Sequence, residues 1–266
     1  MFYKTNVNGV VYYKSDFINM PHGFATREGG VSDSEQTKGM NFAFGRGDRD
    51  ETVIKNFEIF ASAIGADSKR GVMLGQVHST EILTVTENEF GLGVYEKTDR
   101  TLDGYASNTS GALLTVRVAD CVPILFADEA RGVIGAVHAG WRGSVGKIVG
   151  ECIDRMTSLG ADKANIKAAI GPSICAECFE VGDDFMSECE EKLGRELLGE
   201  FTYKKDDKWH ADLKLLNKLI LLENSINEKN VDVTKLCTYC NHDEFFSHRY
   251  HGQKRGTLCA MISLKI

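Results

Sequence analysis

Apolar residues recur along this chain at two periods. Across residues 50–66, Val53, Phe57, Phe60 and Ile64 fall on one face at helical spacing, which predicts an amphipathic helix. The same period is plainer over residues 144–159. There Val145, Ile148, Val149, Cys152, Ile153, Met156 and Leu159 make one stripe, and Gly160 supplies a stop. Two more helices are expected over residues 184–198 and 213–227. Short apolar runs predict strands at 10–13, 72–74, 113–118, 133–137, 166–170, 235–239 and 258–265. The runs between residues 111 and 138 have hairpin-like connections, so mixed sheets are expected in place of a purely parallel one. No repeat, low-complexity tract or linker divides the chain, and with only three prolines its breaks fall to the 27 glycines. The expected fold is α+β: one catalytic domain over residues 1–266, with mixed β-sheets flanked by helices.

Composition narrows the class without changing that picture. Hydrophobic residues at 42% and charged residues at 26% are ordinary for a globular chain, and 266 residues lie within the range of one core. No run approaches the ~18 apolar residues of a membrane helix, so no membrane partner is expected. The net charge of −7 lacks the basic footprint of a nucleic-acid binder, yet leaves a small, largely neutral nucleoside open as a ligand. Residues 1–6 do not read as a signal peptide. Eight cysteines without a secretory signal point to a reducing compartment, and so to the cytoplasm. Nothing in the composition bears on oligomeric state.

Three residues carry the candidate chemistry: His78 in GQVHST, Cys121 in ADCVPILF and His138 in GAVHAGWRG. Catalytic zinc commonly takes three protein ligands and leaves a fourth position open, and one cysteine with two histidines is such a set. Spacings of 43 and 17 positions do not match a zinc finger. Cys121 and His138 follow apolar strands, where a rigid scaffold presents chemistry. The plainer reading makes Cys121 a small hydrophobe and the histidines structural. Two Cys-x-x-Cys pairs, Cys175/Cys178 and Cys237/Cys240, also stand out. A four-cysteine zinc would use both, but a separation of roughly 60 residues exceeds the usual ribbon spacing of about 15–20. A redox pair would want a helix N-terminus. The expectation is therefore four ordinary thiols, since unpaired buried cysteines are common.

The words around these residues resemble a family. Asp103-Gly104, the run TVRVADCVP from Thr115 to Pro123, and HAGWRG from His138 to Gly143 are similar to the laccase-domain family. It is also known as the polyphenol oxidase or peptidoglycan editing factor family. The resemblance extends from HGFATREGGVS at His22, through Asn41-Phe42, GQVH at Gly75 and IGPSI at Ile170, to Glu180-Val181-Gly182 and FFSHR at Phe245. The chain departs from the family in Arg255-Gly256, where a Gly-Arg order is usual, and in the intervening His248 and Cys175.

The resemblance implies Zn2+ held by His78, Cys121 and His138, and an enzyme that cleaves purine nucleosides with phosphate. Inosine, adenosine or methylthioadenosine would give free base and a pentose 1-phosphate, with adenosine deamination as a second activity. His138 and Arg142 precede a helix expected to open at Gly143-Ser144, whose free amides favour an anion. Arg142 is therefore expected to position phosphate. Asp103 is expected to orient a histidine ligand, although Asp-Gly is equally a turn signal. Asp120 could do the same or serve as an acid/base. Asn41 and Arg46, in a glycine-rich loop, are candidate contacts for sugar or phosphate. Phe246 and Arg249 are candidates to stack on the purine, although an aromatic pair such as Phe245-Phe246 more often fills a core.

Two other readings remain. Cys121 as nucleophile with His138 as base would make a cysteine hydrolase or deamidase, and such a dyad has no need of His78. A peptidoglycan-editing or other partner role would use the same pocket without turnover on nucleosides. Phenol oxidation fits poorly, because one Cys/His2 set lacks the several histidine-rich copper sites that four-electron chemistry needs.

Overall fold

A computed structural model describes residues 1–265. The chain opens with three antiparallel strands, β1 (Phe2–Val7), β2 (Val10–Ser15) and β3 (His22–Ala25). Helix α1 (Asp50–Ile64) follows, with Asp50 and Glu51 in its first turn, where the helix dipole favours negative charge. Gly65 ends it in the left-handed conformation, at φ 81°. Next come the short β4 (Gly71–Val72), β5 (Ile82–Thr84) and β6 (Gly104–Ser107), then the longer β7 (Leu113–Val118), β8 (Val122–Asp128) and β9 (Val133–Ala139). Two helices, α2 (Trp141–Val145) and α3 (Ile148–Ser158), lead to β10 (Lys167–Ile170). The remainder is β11 (Glu180–Val181), α4 (Asp183–Phe201), β12 (Thr202–Lys205), β13 (Lys208–Ala211), α5 (Leu213–Glu223), β14 (Val231–Val233), α6 (His248–His251) and β15 (Leu258–Ser263).

Among the described residues the strands form three sheets. One runs β1-β2-β3-β15-β7-β4, a second β14-β10-β8-β9-β6-β5, and a small third β11-β13-β12. The expected mixture is present: β4 pairs with β7, β5 with β6 and β10 with β14 in parallel, among otherwise antiparallel pairs.

Alternation along the central strands stacks these sheets. Successive side chains of a strand point to opposite faces. Leu114 and Val116 of β7, Ala260 and Ile262 of β15, Leu125 and Ala127 of β8, and Ile134 and Ala136 of β9 share one buried cluster. That cluster is the layer between the two six-stranded sheets. The opposite face of β15, with Cys259 and Met261, packs on Phe57, Phe60 and Ala61 of α1. The opposite face of β8 and β9, with Val122, Ile124, Phe126, Val133 and Val137, packs on α3 and α5 through Ile148, Cys152, Leu216 and Ile220. The layers run helix, sheet, sheet, helices. Each fully buried Phe of α1 contributes about 1.5–3 kcal/mol by leaving water.

Several boundaries differ from expectation. The helix expected from Ser144 starts at Trp141, breaks at Gly146-Lys147, and resumes at Ile148; Lys147 has φ 60°. The break lets one stripe serve two short helices, with Val145 and Ile148 in the same cluster. Helix α4 reaches Phe201 but is interrupted by Gly194, at φ 78° and ψ 162°. Residues 235–239 are not a strand. The strand there is β14, parallel to β10, and the chain then turns through Cys237 to Cys240. Finally, β7 and β8 are not a hairpin: β7 belongs to the first sheet and β8 to the second. The three residues that carry the chain across, Ala119, Asp120 and Cys121, lie at the candidate site.

Candidate active site

Asp120 sits at this crossing with φ 86°, a conformation that few non-glycine residues adopt. Hydrogen bonds hold it there. Its carboxylate accepts from Thr238 Oγ1 at 2.6 Å, Ser247 Oγ at 3.0 Å and the Arg249 amide at 2.6 Å. Asp120 is thus a strut that ties two later loops to the crossing and turns Cys121 toward the opening.

Asp103 does the equivalent work for the histidines. It is fully buried just before β6, whose pairing with β9 sets Gly104 opposite Val137. The backbone amide of His138 donates to the Asp103 carbonyl at 2.8 Å. Asp103 Oδ1 accepts from His138 Nδ1 at 2.7 Å and from the His78 amide at 3.0 Å. Its Oδ2 accepts from the Val77 amide at 3.1 Å, the Ser79 amide at 2.6 Å and Ser79 Oγ at 2.9 Å. One buried carboxylate therefore folds the loop that carries His78 (φ 62°) and fixes the ring of His138. With Nδ1 engaged, Nε2 of His138 is the ring nitrogen left for the site.

The ligand atoms of His78, Cys121 and His138 all lie within 4.8 Å of one another. Cys121 Sγ is 3.8 Å from His78 Nε2, and the two imidazole centroids are 4.9 Å apart. Gly140 is required by this convergence. A Cβ there would stand 2.3 Å from His78 Cδ2 and 3.3 Å from Cys121 Sγ, so the glycine of HAGWRG is a steric condition of the site.

Electrostatics favour the charged forms. Burial opposes charge on Asp103, but the bond and charge of His138 with the Ser79 donors hold its pKa down to about 2. Burial also opposes the Cys121 thiolate, yet His138 and His78 bring its pKa down to about 6. His138 is raised to about 9, against burial, by the Cys121 thiolate and Asp103. A thiolate is the form that ligates metal or attacks an electrophile.

The three donors stand beside a cavity of about 290 Å³ lined by His78, Cys121, Trp141, Phe179, Arg249 and Arg255 among others. Ile174 and Leu213 add apolar lining, and His248 polar lining. Of the residues singled out in the sequence, the structure brings together His78, Cys121, His138, Asp103, Asp120 and Arg249. It places the others elsewhere. Arg142 is exposed, with its guanidinium 4.0 Å from the ring of its own neighbour Trp141. The helix begins at Trp141, not at Gly143, so Arg142 lies on its first turn facing outward. Phe246 is fully buried in a cluster with Val118, Phe245 and Leu258, under the guanidinium of Arg27 at 4.5 Å. It is core and cannot stack on a ligand. Asn41 is also fully buried, bonded to Ala43, Asp48 and Thr257. Arg46 is exposed and donates to the Gln253 carbonyl at 3.0 Å, without lining the cavity.

Among the wall residues to which sequence reasoning gave no role, Trp141, Phe179, Arg255 and His248 carry the aromatic and polar groups. Trp141 stood inside the HAGWRG word, and Arg255 inside the inverted Arg-Gly pair, so both had a signal. Phe179 had none, because its position follows from the turn that precedes it. Arg255 is largely buried, and its Nε has no hydrogen-bond partner among the described residues.

Residues 21–265 match the family described as "Multi-copper polyphenol oxidoreductase laccase". The chain is 32% identical over 247 residues to a protein of Bacillus subtilis (strain 168) named purine nucleoside phosphorylase YlmD, covering 91% of this chain and 88% of that one. It is also 32% identical over 250 residues to a protein of an unknown prokaryotic organism named adenosine deaminase RL5, covering 91% and 95%. Among solved structures, YlmD from Geobacillus stearothermophilus superposes with a TM-score of 0.87 at 28% identity, covering 98% of each chain.

Proposed function

This chain belongs to the multi-copper polyphenol oxidoreductase laccase family, and from that membership we propose that it is a purine nucleoside phosphorylase that uses zinc. Its substrates are inosine or adenosine and phosphate, its products free base and pentose 1-phosphate, and adenosine deamination is a second activity of the same site. The relatives named for these two activities support the reading. The observation that carries it is the meeting of three metal donors with a cavity lined by two aromatic rings, Trp141 and Phe179, and two arginines, Arg249 and Arg255.

The residues fit zinc. One thiolate and two imidazoles within 4.8 Å of one another match a three-ligand open set, and the Asp103–His138 bond is the carboxylate support such histidines commonly have. Copper chemistry of several centres fits less well, since the other donor cluster among the described residues is all cysteine. Zinc bound by His78, Cys121 and His138 would supply a Lewis acid able to screen an anion or lower the pKa of water.

The chain's own residues then divide the work. Trp141 and Phe179 offer faces to the base, with Ile174 and Leu213 completing the apolar wall. Arg249 and Arg255 offer the guanidinium charge that phosphate requires. A phosphate oxygen attacks the anomeric carbon of the sugar, the bond to the base nitrogen breaks, and the base leaves with a proton. His248 is held below its ordinary pKa by burial and by Arg255. Among the lining residues it is the titratable group not committed to the metal set or, like Asp120, to a strut, and as a neutral imidazole it is the hydrogen-bond partner we assign to the leaving base, whose proton comes from water. Arg142, facing out over Trp141, shapes the wall and does not meet phosphate. A Cys121–His138 nucleophile pair is the other reading of the same thiolate, but it leaves His78 without a task.

Inosine and adenosine incubated with the purified protein test this, with and without phosphate. Base and pentose 1-phosphate should appear only with phosphate, while ammonia from adenosine should not need it. Arg255→Ala should raise the KM for phosphate more than that for nucleoside, and Arg142→Ala should do so less. Equal release of base without phosphate would make the enzyme a hydrolase and refute the phosphate role.

A further inference from the structure

The second donor cluster lies outside the chemistry described above. We propose that Cys175, Cys178, Cys237 and Cys240 hold a structural zinc ion as four thiolates, which fixes one wall of the cavity. Although the two pairs are 62 positions apart, the fold closes them into one group whose four Sγ atoms lie within 4.8 Å of one another. The Sγ atoms of Cys178 and Cys240 are 3.4 Å apart. Tetrahedral zinc with Zn–S near 2.3 Å places its sulfurs about 3.8 Å apart, inside that spread. All eight cysteines are free.

The backbone is arranged for it. Cys175 to Cys178 makes one tight turn, with the Cys178 amide donating to the Cys175 carbonyl at 3.1 Å. Cys237 to Cys240 makes the other, with the Asn241 amide donating to the Cys237 carbonyl at 3.1 Å. A short parallel bridge between Ser173 and Cys237 sets the turns face to face. Two backbone amides, of Cys175 at 3.3 Å and Cys240 at 3.4 Å, point at Cys237 Sγ; amides so placed favour a thiolate over a thiol. Four thiolates around one divalent cation carry net negative charge, and a buried cation stands next to them. Lys214 is 6% exposed, and its ammonium donates to the carbonyls of Thr234 at 3.2 Å and Leu236 at 3.0 Å. A buried lysine is costly unless compensated, and negative charge on the cysteine set beside Leu236 would compensate it.

What the knot would hold is the cavity wall. Ile174 and Phe179 flank the first turn, and both line the cavity. Thr238, inside the second turn, donates to Asp120 beside Cys121. The guanidinium of Arg249 donates to the carbonyls of Cys178 at 3.3 Å and Glu180 at 3.0 Å. One ion would thus fix an aromatic ring, a guanidinium and the crossing strut at once. This is an all-cysteine set with no position left open, the pattern of structural zinc.

The test is zinc content of the full chain, purified under reductant and loaded with zinc, in the Cys121→Ala background that removes the other donor set. We expect about one zinc per chain there, and about none after adding Cys178→Ser and Cys240→Ser. Should that triple variant fail to fold, cobalt(II) exchanged into Cys121→Ala answers alone, through the intense thiolate-to-cobalt charge transfer of four sulfurs. No zinc in Cys121→Ala, iron in its place, a cobalt spectrum without thiolate bands, or the four cysteines recovered as disulfides under reductant would each overturn the proposal.

Discussion

The two donor clusters of this protein are built by opposite means. His78, Cys121 and His138 are placed by the sheets: one at the β7–β8 crossing, one within β9, one on a loop caged by the buried carboxylate of Asp103. Cys175, Cys178, Cys237 and Cys240 are placed by two turns that touch through a single bridge. The first set mixes donor types and opens on a cavity, so it can exchange a ligand. The second is uniform and closed by its own turns. A site that does chemistry inherits its rigidity from the scaffold, whereas a site that gives rigidity can sit where the scaffold has little. Removing a residue from each should therefore have different consequences.

The largest expected effect crosses the two. Cys121→Ala should abolish turnover of nucleoside while the melting temperature changes little, because both six-stranded sheets and their cores stand without it. Cys178→Ser with Cys240→Ser should do the reverse. The melting temperature should fall by several degrees, at about 2–4 °C per kcal/mol lost in a chain of this size, and the KM for nucleoside should rise more than kcat falls. Thermal melts and steady-state kinetics on both variants check this. Equal loss of turnover and equal loss of stability in the two would erase the distinction.

A smaller effect tests how the scaffold reaches the first cluster. The Asp103 carboxylate accepts five hydrogen bonds. Asn in its place sets an NH2 group against two or three of them and removes the charge that holds His138. Metal affinity or turnover should fall about 10–100-fold in Asp103→Asn, as for other supporting carboxylates. The zinc of the cysteine knot should stay. Competition with a chelator, followed by metal analysis, separates the two ions in one preparation.

The contrast also explains what could be read from the sequence. His78, Cys121 and His138 were legible because each sits in a distinctive word, two of them at the end of a patterned run, and α1 because Val53, Phe57 and Phe60 keep strict helical spacing. The α+β class followed from the same runs. The cysteine knot was not legible as a unit. Its spacing was judged against zinc ribbons in which chain proximity brings the pairs together, whereas here the Ser173–Cys237 bridge does so. The helix break at Gly146-Lys147 left no mark, since the apolar stripe continues through it. Asn41 looked like a contact because it lies in a glycine-rich loop, and Phe246 because its ring, near Arg249, could stack on a purine; Phe246 is instead buried against Val118 of β7 and Leu258 of β15, and Asn41 is bonded to Thr257 just before β15. Arg142 faces outward because the helix begins three residues before the expected start.

The smallest expected effect concerns the scaffold alone. His22 on β3 is fully buried. Its Nε2 accepts from the Ser15 amide at 3.0 Å, and its Nδ1 donates to the Met20 carbonyl at 2.8 Å, which fixes the neutral ring. Burial lowers its pKa from 6.5 to about 4. The sign follows: between these values the unfolded chain binds a proton that the folded chain refuses, so acid favours unfolding. Stability supported by neutral His22 is complete above pH 6.5 and is lost as pH falls through about 4. At about 1.36 kcal/mol per pKa unit, the loss is at most about 3 kcal/mol. Both metal sites also weaken in acid, because protons compete for their donors. Denaturant melts from pH 7 to 4 on the wild type and His22→Gln separate the terms, since proton competition is common to both proteins. The difference between their stabilities should shrink as the pH falls through this window. A difference that stays constant with pH would mean that His22 is not held neutral by the sheet, and that the acid response of the protein comes from the donor clusters.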